Sequence, residues 1–136
     1  MVKRILADIN TRGPVDDLVR RMQSEPWTEF WKELSLTLFH FEDVGLTPSS
    51  TDLEIWQKCQ AEQLIFITNN RNENSIDSLE STIRKYNSPD SLPVFTIADL
   101  DKFRKSRRYA ERAIESLFEY LLRIDSVLGA GRLYLP

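Results

Sequence analysis

Acidic and amide side chains follow or begin three segments of this chain, where a parallel sheet would bring them together. Asp8 ends the first apolar run, and Asp52 opens a helix-like segment. Asn70 and Asn72 follow the apolar run 64–68. Carboxylate oxygens are the ligands that hard cations such as Mg²⁺ prefer, and such cations can activate water against a phosphodiester. Because the third segment carries amides in place of acids, we predict a nuclease-like scaffold with an incomplete site.

The composition is that of one globular domain. The chain has 136 residues, of which 41% are hydrophobic and 29% are charged, which predicts a single domain over 1–136. A net charge of −3 argues against nonspecific coating of nucleic acid but leaves a local basic patch open. We expect no signal peptide and no membrane association, since no apolar stretch approaches the roughly 18 residues that cross a bilayer. Cys59, the single cysteine, cannot form an internal disulfide, which predicts a cytoplasmic protein.

Strand-like and helix-like segments alternate along the chain. Strands are predicted over 2–8, 36–41, 64–68, 94–97 and, as a short edge strand, 132–135. Helices are predicted over 14–22, 27–34, 51–63, 75–86, 99–105 and 107–127. This alternation predicts an α/β fold, a three-layer α/β/α sandwich with a mainly parallel sheet. Ligands of such sheets bind outside the carboxyl ends of the strands, so Asp8, the helix start at Thr51 and the segment 69–72 should converge on one edge.

Asp8 and Asp52 each have a structural explanation beside the functional one. Thr51 and Glu54 have the spacing of a capping box, which gives Glu54 a sufficient structural role. Asp52 shares a helical face with apolar residues, beginning with Ile55, but an acid in the first turn is also favoured by the helix dipole. A strand-terminal aspartate often bonds loop N–H groups. The spacing slightly favours these structural explanations and leaves a site open.

Three blocks of the sequence, in order, resemble the small bacterial PIN-like domains of the PIN-domain nuclease superfamily. Residues 6–10 (LADIN) are similar to the opening motif LADEN of that family. Residues 45–55 (GLTPSSTDLEI) are similar to its Gly-rich loop followed by Ser-Asp-x-Glu-Ile/Val. Residues 64–72 (LIFITNNRN) are similar to its VLVTHDRD. The resemblance covers residues 4–72, and the ordered set is more specific than any single block.

The resemblance implies a PIN fold and a metal-dependent ribonuclease, a type that often serves as the toxin of a toxin–antitoxin pair. It assigns Asp8 as the central ligand of Mg²⁺ or Mn²⁺ and Asp52 as the ligand carried by the helix. It makes Asn10 the residue that orients Asp8. The two acids of the third block fall on Asn70 and Asn72, which would belong to the catalytic set without bringing charge.

The departures from the family concern the acids that complete its metal site. Ile9 replaces a glutamate, and two amides replace two carboxylates. Each lost charge contact at about 4 Å is worth roughly 4 kcal/mol before desolvation at an effective dielectric near 20. Glu73 and Asp77 could replace the missing acids, although acids beside a helix start more often complement its dipole. Two functions stay open: a ribonuclease with a partly degenerate acidic site, and a catalytically inactive PIN-like module that binds a partner.

A basic segment, residues 102–112, is the second candidate for function in this acidic chain. It contains six basic residues and two aromatic ones. The residues predicted to follow a single-stranded RNA backbone are Arg104, Lys105, Arg107 and Arg108. Tyr109 would be available to stack on a base. The alternative is an ordinary solvated helix face with Phe103 in the core, which we favour slightly because most charge runs are of this kind.

The remaining conspicuous residues have structural explanations. Trp27, Phe30 and Trp31 could form an exposed patch for an antitoxin-like protein partner or a homodimer, but covering the sheet edge is the more common role. His40 is predicted to be a polar residue that points outward. Cys59 lies on the apolar face of its helix and is predicted to be buried and inert.

Overall fold

The computed structural model describes residues 3–71 and 78–136, and its centre is a sheet of five parallel strands. The strands are β1 (Arg4–Ala7), β2 (Thr37–Phe39), β3 (Leu64–Thr68), β4 (Val94–Ile97) and β5 (Arg132–Leu135). They lie side by side in the order β2-β1-β3-β4-β5. The predicted α/β class is confirmed, every strand pair of this sheet is parallel, and the tail forms the predicted edge strand.

Helices connect the strands and form the two outer layers. Within the described ranges they are α1 (Arg12–Met22), α2 (Thr28–Leu34), α3 (Asp52–Glu62), α4 (Leu79–Tyr86), α5 (Leu100–Lys105) and α6 (Arg107–Leu122). The predicted helix start at residue 75 lies outside the described residues. The described part of α4 is capped by Ser78, whose hydroxyl accepts the backbone N–H of Ser81 at 3.1 Å.

Two predicted elements end at least two residues earlier in the structure. The second strand ends at Phe39, two residues early, because the backbone N–H of His40 donates to the side chain of Asp43 at 2.8 Å and a 3₁₀ turn begins there. The last helix ends at Leu122, where the backbone of Arg123 leaves the helical range (φ −125°, ψ 37°). In both places a local side-chain or backbone conformation overrides the apolar periodicity that predicted a longer element.

The sheet buries one apolar cluster on each face. On one face, α1, α2, α5 and α6 pack against the sheet through residues such as Ile5, Ile65 and Phe95. On the other face, α3 and α4 pack against Leu6 and Phe66. Every residue of β3 is buried because this strand lies at the centre of the sheet. That position explains its unbroken apolar run, which is typical of parallel strands covered on both sides.

The connection from β4 to β5 has the opposite hand to the connections before it. The chain moves from β3 to β4 and from β4 to β5 in the same direction across the sheet. α4 covers one face, whereas α5 and α6 cover the other. The earlier connections, through α1 and α2 and through α3, share the hand of the α4 connection. Because about 98% of such connections have one hand, the path through α5 and α6 is an exception to a strong rule.

The strand order reverses beside β1, and this reversal positions the candidate site. The chain leaves β1 for β2 on one side and returns to β3 on the other. Connections that diverge in this way open a crevice at the carboxyl ends of the two central strands. Asp8 follows β1 and its backbone N–H donates to the carbonyl of Ile67 in β3 at 3.0 Å. Asn69 follows β3, so both residues stand at the crevice.

Candidate functional site

Asp8 is buried at the carboxyl end of β1, and two hydrogen bonds fix its carboxylate. The residue is 6% exposed. Its Oδ2 accepts the hydroxyl of Thr68 at 2.6 Å, and its Oδ1 accepts the backbone N–H of Asn10 at 3.2 Å. The contact from Asn10 thus comes from its backbone, while its side chain is exposed. Asp8 anchors this end of the sheet, whatever further role it has.

A short network of hydrogen bonds links Asp8 to the segment that follows β3. The hydroxyl of Thr68 that donates to Asp8 also accepts the backbone N–H of Asn70 at 2.9 Å. The hydroxyl of Thr11 donates to the side-chain oxygen of Asn69 at 2.7 Å and accepts its backbone N–H at 3.3 Å. These bonds place Asn70 at the same end of the sheet as Asp8.

Asp52 is the first residue of α3, and the predicted capping box precedes it. The backbone N–H of Glu54 donates to the hydroxyl of Thr51 at 3.1 Å, and the backbone N–H of Thr51 donates to Glu54 at 3.1 Å. Glu54 therefore has the structural role expected from the sequence. Asp52 takes no part in this exchange and lies half-buried at the start of the helix.

The pKa of Asp52 is raised from its ordinary value, and the causes locate its neighbours. Burial is the largest cause, and the negative charge of Asp8 raises the pKa further. The backbone N–H of Leu79 and the positive charge of Arg132 act in the opposite direction. α3 ends just before β3 begins, so its first residue, Asp52, lies toward the carboxyl edge of the sheet that also carries Asp8.

A buried arginine that the sequence analysis did not single out completes this edge. Arg132 is the first residue of β5, and its side chain is 6% exposed. Its Nε donates to Oε2 of Glu80 at 2.9 Å. Its Nη1 donates to the carbonyl of Asn70 at 2.7 Å and to the hydroxyl of Thr96 at 2.6 Å. Arg132 thus joins β5 to α4, to β4 and to the segment after β3.

We call the part of the carboxyl edge that carries Asp8, Asp52 and Glu80 the acidic edge, and Arg132 is its cation. The Nη2 of Arg132 is buried without a hydrogen-bond partner in the described part of the chain. Leaving a buried donor unpaired costs about 1–3 kcal/mol. The three hydrogen bonds of the other two nitrogens offset this cost. No sequence signal marks Arg132, because it is the first residue of a short edge strand, where an arginine usually faces solvent.

The described residues supply only part of the ligand set of a divalent-metal site. Over 3–71 and 78–136, no three Asp, Glu, His or Cys side chains group as a metal site requires. Both carboxylate oxygens of Asp8 accept hydrogen bonds, and Arg132 supplies a positive charge near Asp52. The sequence-predicted residues that lie outside the described ranges are Asn72, Glu73 and Asp77. Ligand roles for Asp8 and Asp52 therefore stay predictions.

The basic segment forms the corner between α5 and α6. The residues predicted to contact RNA are all exposed: Arg104, Lys105, Arg107 and Arg108. Phe103 is buried in the core, and the hydroxyl of Ser106 caps α6 by accepting the backbone N–H of Tyr109 at 3.1 Å. Arg107 pairs with Glu111 at 3.2 Å, an exposed pair that contributes little to stability.

Tyr109 has a structural role in place of the predicted stacking on a base. Its hydroxyl accepts the backbone N–H of Asp99 at 3.0 Å and donates to the carbonyl of Pro136 at 3.1 Å. Its ring is partly buried against the larger apolar cluster. Tyr109 therefore fastens the residue after β5 to the start of α5, and the RNA-binding prediction rests on the cations alone.

A groove of about 120 Å³ adjoins the basic segment between α1 and α6. Arg20, Arg21 and Arg107 are among the residues that line it. Arg20 and Arg21 both pair with Asp17, so their charges are partly neutralised. The acids Glu25 and Glu111 also line the groove, so it carries charges of both signs.

His40 and Cys59 contribute to the structure at positions away from the acidic edge. Nε2 of His40 lies 2.7 Å from Oδ1 of Asp16, so this residue is a polar partner of α1. Cys59 is buried, as predicted, and burial raises the pKa of its thiol well above its ordinary value. A thiol with a raised pKa stays protonated at neutral pH and is a poor nucleophile.

Comparison of the chain with protein-family models, with curated proteins and with solved structures finds no match. The resemblance to PIN-like domains therefore depends on the three sequence blocks alone. No helix within the described ranges is both long enough and apolar enough to cross a membrane.

Proposed function

We propose that this protein is a PIN-like domain that binds single-stranded RNA without cleaving it. The observation that carries the proposal is Arg132, a buried cation among the carboxylates of the acidic edge. The three-layer fold and the meeting of Asp8 with Asp52 at the carboxyl edge support the PIN-like scaffold. Arg132 and the neutral amide of Asn70 support the loss of metal-dependent cleavage.

The charge balance at the acidic edge supports binding without turnover. Hydrolysis of a phosphodiester by a metal ion needs carboxylates that concentrate negative charge around a divalent cation. Asn70 brings no charge, and Arg132 brings a positive one whose effect reaches Asp52. Two unit charges of like sign about 4 Å apart repel by roughly 4 kcal/mol at an effective dielectric near 20, and a divalent ion would be repelled about twice as strongly.

The basic segment supports the RNA-binding part of the proposal. Five of its six cations make no ion pair with another described residue: Lys102, Arg104, Lys105, Arg108 and Arg112. They stand on the end of α5 and the start of α6, so their long side chains share one corner of the molecule. Unpaired cations grouped in this way can neutralise successive phosphates of a single strand and release the counterions.

Fluorescence anisotropy with a labelled single-stranded RNA at several salt concentrations tests the binding. We expect affinity to fall as salt rises, with a slope of about −0.7 for each neutralised phosphate. A variant replaces four cations of the basic segment by alanine: Arg104, Lys105, Arg107 and Arg108. Its binding should be weaker and its slope flatter, because phosphate contacts are lost.

The matched control removes the same charge from exposed cations elsewhere on the surface. The four control positions are Lys32, Arg84, Lys85 and Arg123. Exposed charges contribute little to folding, so both variants should remain folded. If affinity and the slope of its salt dependence fall equally in both variants, net charge explains the binding and the basic segment is not the RNA surface.

A metal-dependent ribonuclease is the second candidate, and the electrostatic coupling of Asp8 with Asp52 favours it. Under this alternative, the wild type would cleave labelled RNA in Mn²⁺, and Asp8→Asn would abolish cleavage while leaving binding intact. Our proposal expects uncleaved RNA with both proteins on a denaturing gel. Cleavage that disappears in Asp8→Asn would overturn the non-cleaving part of the proposal.

A further inference from the structure

An exposed apolar patch lies where α2 packs against the end of α6. Phe30 is 42% exposed and Leu122 is 56% exposed. The ring centroid of Phe118, one turn before Leu122, lies 5.7 Å from that of Phe30 and 5.7 Å from that of Trp27. We call these four residues the aromatic patch; Phe118 itself is buried, so its exposed surface comes from the other three. Trp27 and Trp31 pack partly against the core. The two roles that the sequence left open for this segment, covering the sheet edge and forming an exposed patch, therefore each hold in part.

Carboxylates border the aromatic patch on both helices. Two come from α2 and two from α6: Glu29, Glu33, Glu115 and Glu119. They lie within one helical turn of Phe30 or Phe118. All four are exposed, and none forms an ion pair with another residue in the described ranges. The cations nearby in sequence are Lys32, Arg112 and Arg123, and Arg123 lies over the ring of Tyr120.

A depression adjoins the aromatic patch at Leu122. Its volume is about 410 Å³, and its lining is half apolar (Leu121, Leu122 and Ile124) and half polar (Arg123, Asp125 and Ser126). Exposed apolar residues beside such a mixed depression can receive an amphipathic helix, which presents an apolar face with polar flanks. An isolated exposed leucine would need no explanation, but two exposed apolar residues on either side of packed aromatic rings are a candidate interaction site.

We propose that the aromatic patch docks an amphipathic helix of a protein partner whose apolar stripe is flanked by Lys or Arg. We infer the Lys and Arg flanks of the partner helix from the four unpaired carboxylates, because these attract cations at the rim of the contact. They also disfavour the other occupants. A second copy related by a two-fold axis would bring the same four acids to face these. An anionic membrane surface would repel them as well.

The experiment measures binding of the full chain to a designed helical peptide of about 18 residues. The peptide carries leucines at helical spacing on one face and lysines on the rest. A control peptide keeps the leucines and replaces every lysine by glutamate. By anisotropy, the lysine peptide should bind at least about tenfold more tightly, and the difference should shrink as salt rises. Equal affinity for the two peptides would overturn the proposal.

Variants of the aromatic patch separate apolar contact from charge. Leu122→Ser and Phe30→Ser should each weaken binding of the lysine peptide by about tenfold, because each removes a large apolar contact. Tyr86→Ser removes an exposed aromatic residue from α4, on the other face of the sheet, and should leave the affinity unchanged. If Tyr86→Ser weakens binding as much as Leu122→Ser, the peptide does not use the aromatic patch.

A charge-reversal variant tests the choice of partner without touching the core. Glu115→Lys combined with Glu119→Lys changes only exposed side chains, so it should fold normally. It should weaken the lysine peptide and strengthen the glutamate peptide. An unchanged preference in this double variant would overturn the charge argument. Sedimentation provides the last test: we expect a monomer, whereas a dimer that Leu122→Ser dissociates would assign the aromatic patch to a second copy.

Discussion

The effect of Arg132 can be measured separately from that of the acids around it by substituting single residues. Arg132→Met removes the cation and keeps most of its apolar stem. Glu80 then loses its buried partner, so the free energy of unfolding should fall by about 3–5 kcal/mol. With the guanidinium gone, the acidic edge should bind Mn²⁺ more tightly than the wild type, and Mn²⁺ should raise the Tm more in the variant. Calorimetry and thermal unfolding with and without Mn²⁺ measure both effects.

Two further variants show whether charge explains that result. Arg132→Lys keeps the charge but loses the planar fork, so it should lose stability without gaining affinity for Mn²⁺. Asn70→Asp combined with Asn72→Asp adds two charges and should strengthen Mn²⁺ binding with Arg132 still present. Tight binding of Mn²⁺ by the wild type, equal to that of Arg132→Met, would contradict the role of Arg132 as the cation of the acidic edge.

Asp52 makes stability depend on pH in a direction opposite to that of most acids. Its pKa in the folded protein lies above its ordinary value of 3.8, so the folded state binds the proton more tightly than the unfolded state. Its contribution to stability is therefore fully present below the unfolded pKa and is lost as pH rises through the folded pKa. Asp52→Asn removes this loss, so the variant should gain stability relative to the wild type between about pH 4 and pH 7.

Urea unfolding at both pH values measures this difference between Asp52→Asn and the wild type. Asp90→Asn is the control, because Asp90 is exposed in a polar connection. This control should follow the wild type at both pH values. If the stability of Asp52→Asn also equals that of the wild type at both pH values, Asp52 is more solvated than its position at the start of α3 implies.

At the scale of elements, two glycines differ in what a side chain would meet. Gly131, which precedes β5, has φ +82°, and a Cβ there would lie 3.2 Å from Cγ2 of Ile83. Gly131→Ala should lower the free energy of unfolding by about 1–3 kcal/mol. Gly13 lies in α1 with nothing except its chain neighbours within 4 Å of its Cβ position, but Pro14 follows it and disfavours a helical residue that has a Cβ. Gly13→Ala should therefore change the free energy of unfolding by less than Gly131→Ala does, and equal losses in urea unfolding would contradict this assignment.

The positions of the elements could be predicted from the sequence because buried parallel strands appear as apolar runs and helices as apolar stripes. The capping box at Thr51 and Glu54 was visible for the same reason, since its partners are close in sequence. The early end of β2 was not predictable from periodicity. There the side chain of Asp43 bonds the backbone of His40 and competes with the strand.

For the molecule as a whole, the sequence located the acids of the site but not their cation. Asp8, Asp52 and Asn70 follow from the rule that the carboxyl ends of parallel strands meet at one edge. Arg132 contacts Asn70 across 62 positions of sequence and Glu80 across 52. An arginine on a short edge strand has the pattern of a solvent-facing residue, so only the folded chain reveals that it is buried.

The reversed connection to β5 also places two surfaces of opposite charge on one helix. Its start carries the basic segment, and its end carries the aromatic patch with its acidic border. The 16 residues of α6 separate its two ends by about 24 Å, but Arg112 of the basic segment and Glu115 of the acidic border are only three residues apart. The screening length is about 8 Å at physiological salt, so only substitutions at the outer ends, Arg107 and Leu122, should leave binding at the other end unchanged.

The order of the strands along the chain also sets an order in time during synthesis. Asp8, Asp52 and Glu80 are all translated before Arg132, because β5 is the last of the described strands. Domains fold as their residues emerge from the ribosome, and a strand that pairs over a long sequence distance joins late. Until β5 pairs with β4, the acids have no cation from Arg132. The final strand therefore brings the charge that neutralises the site.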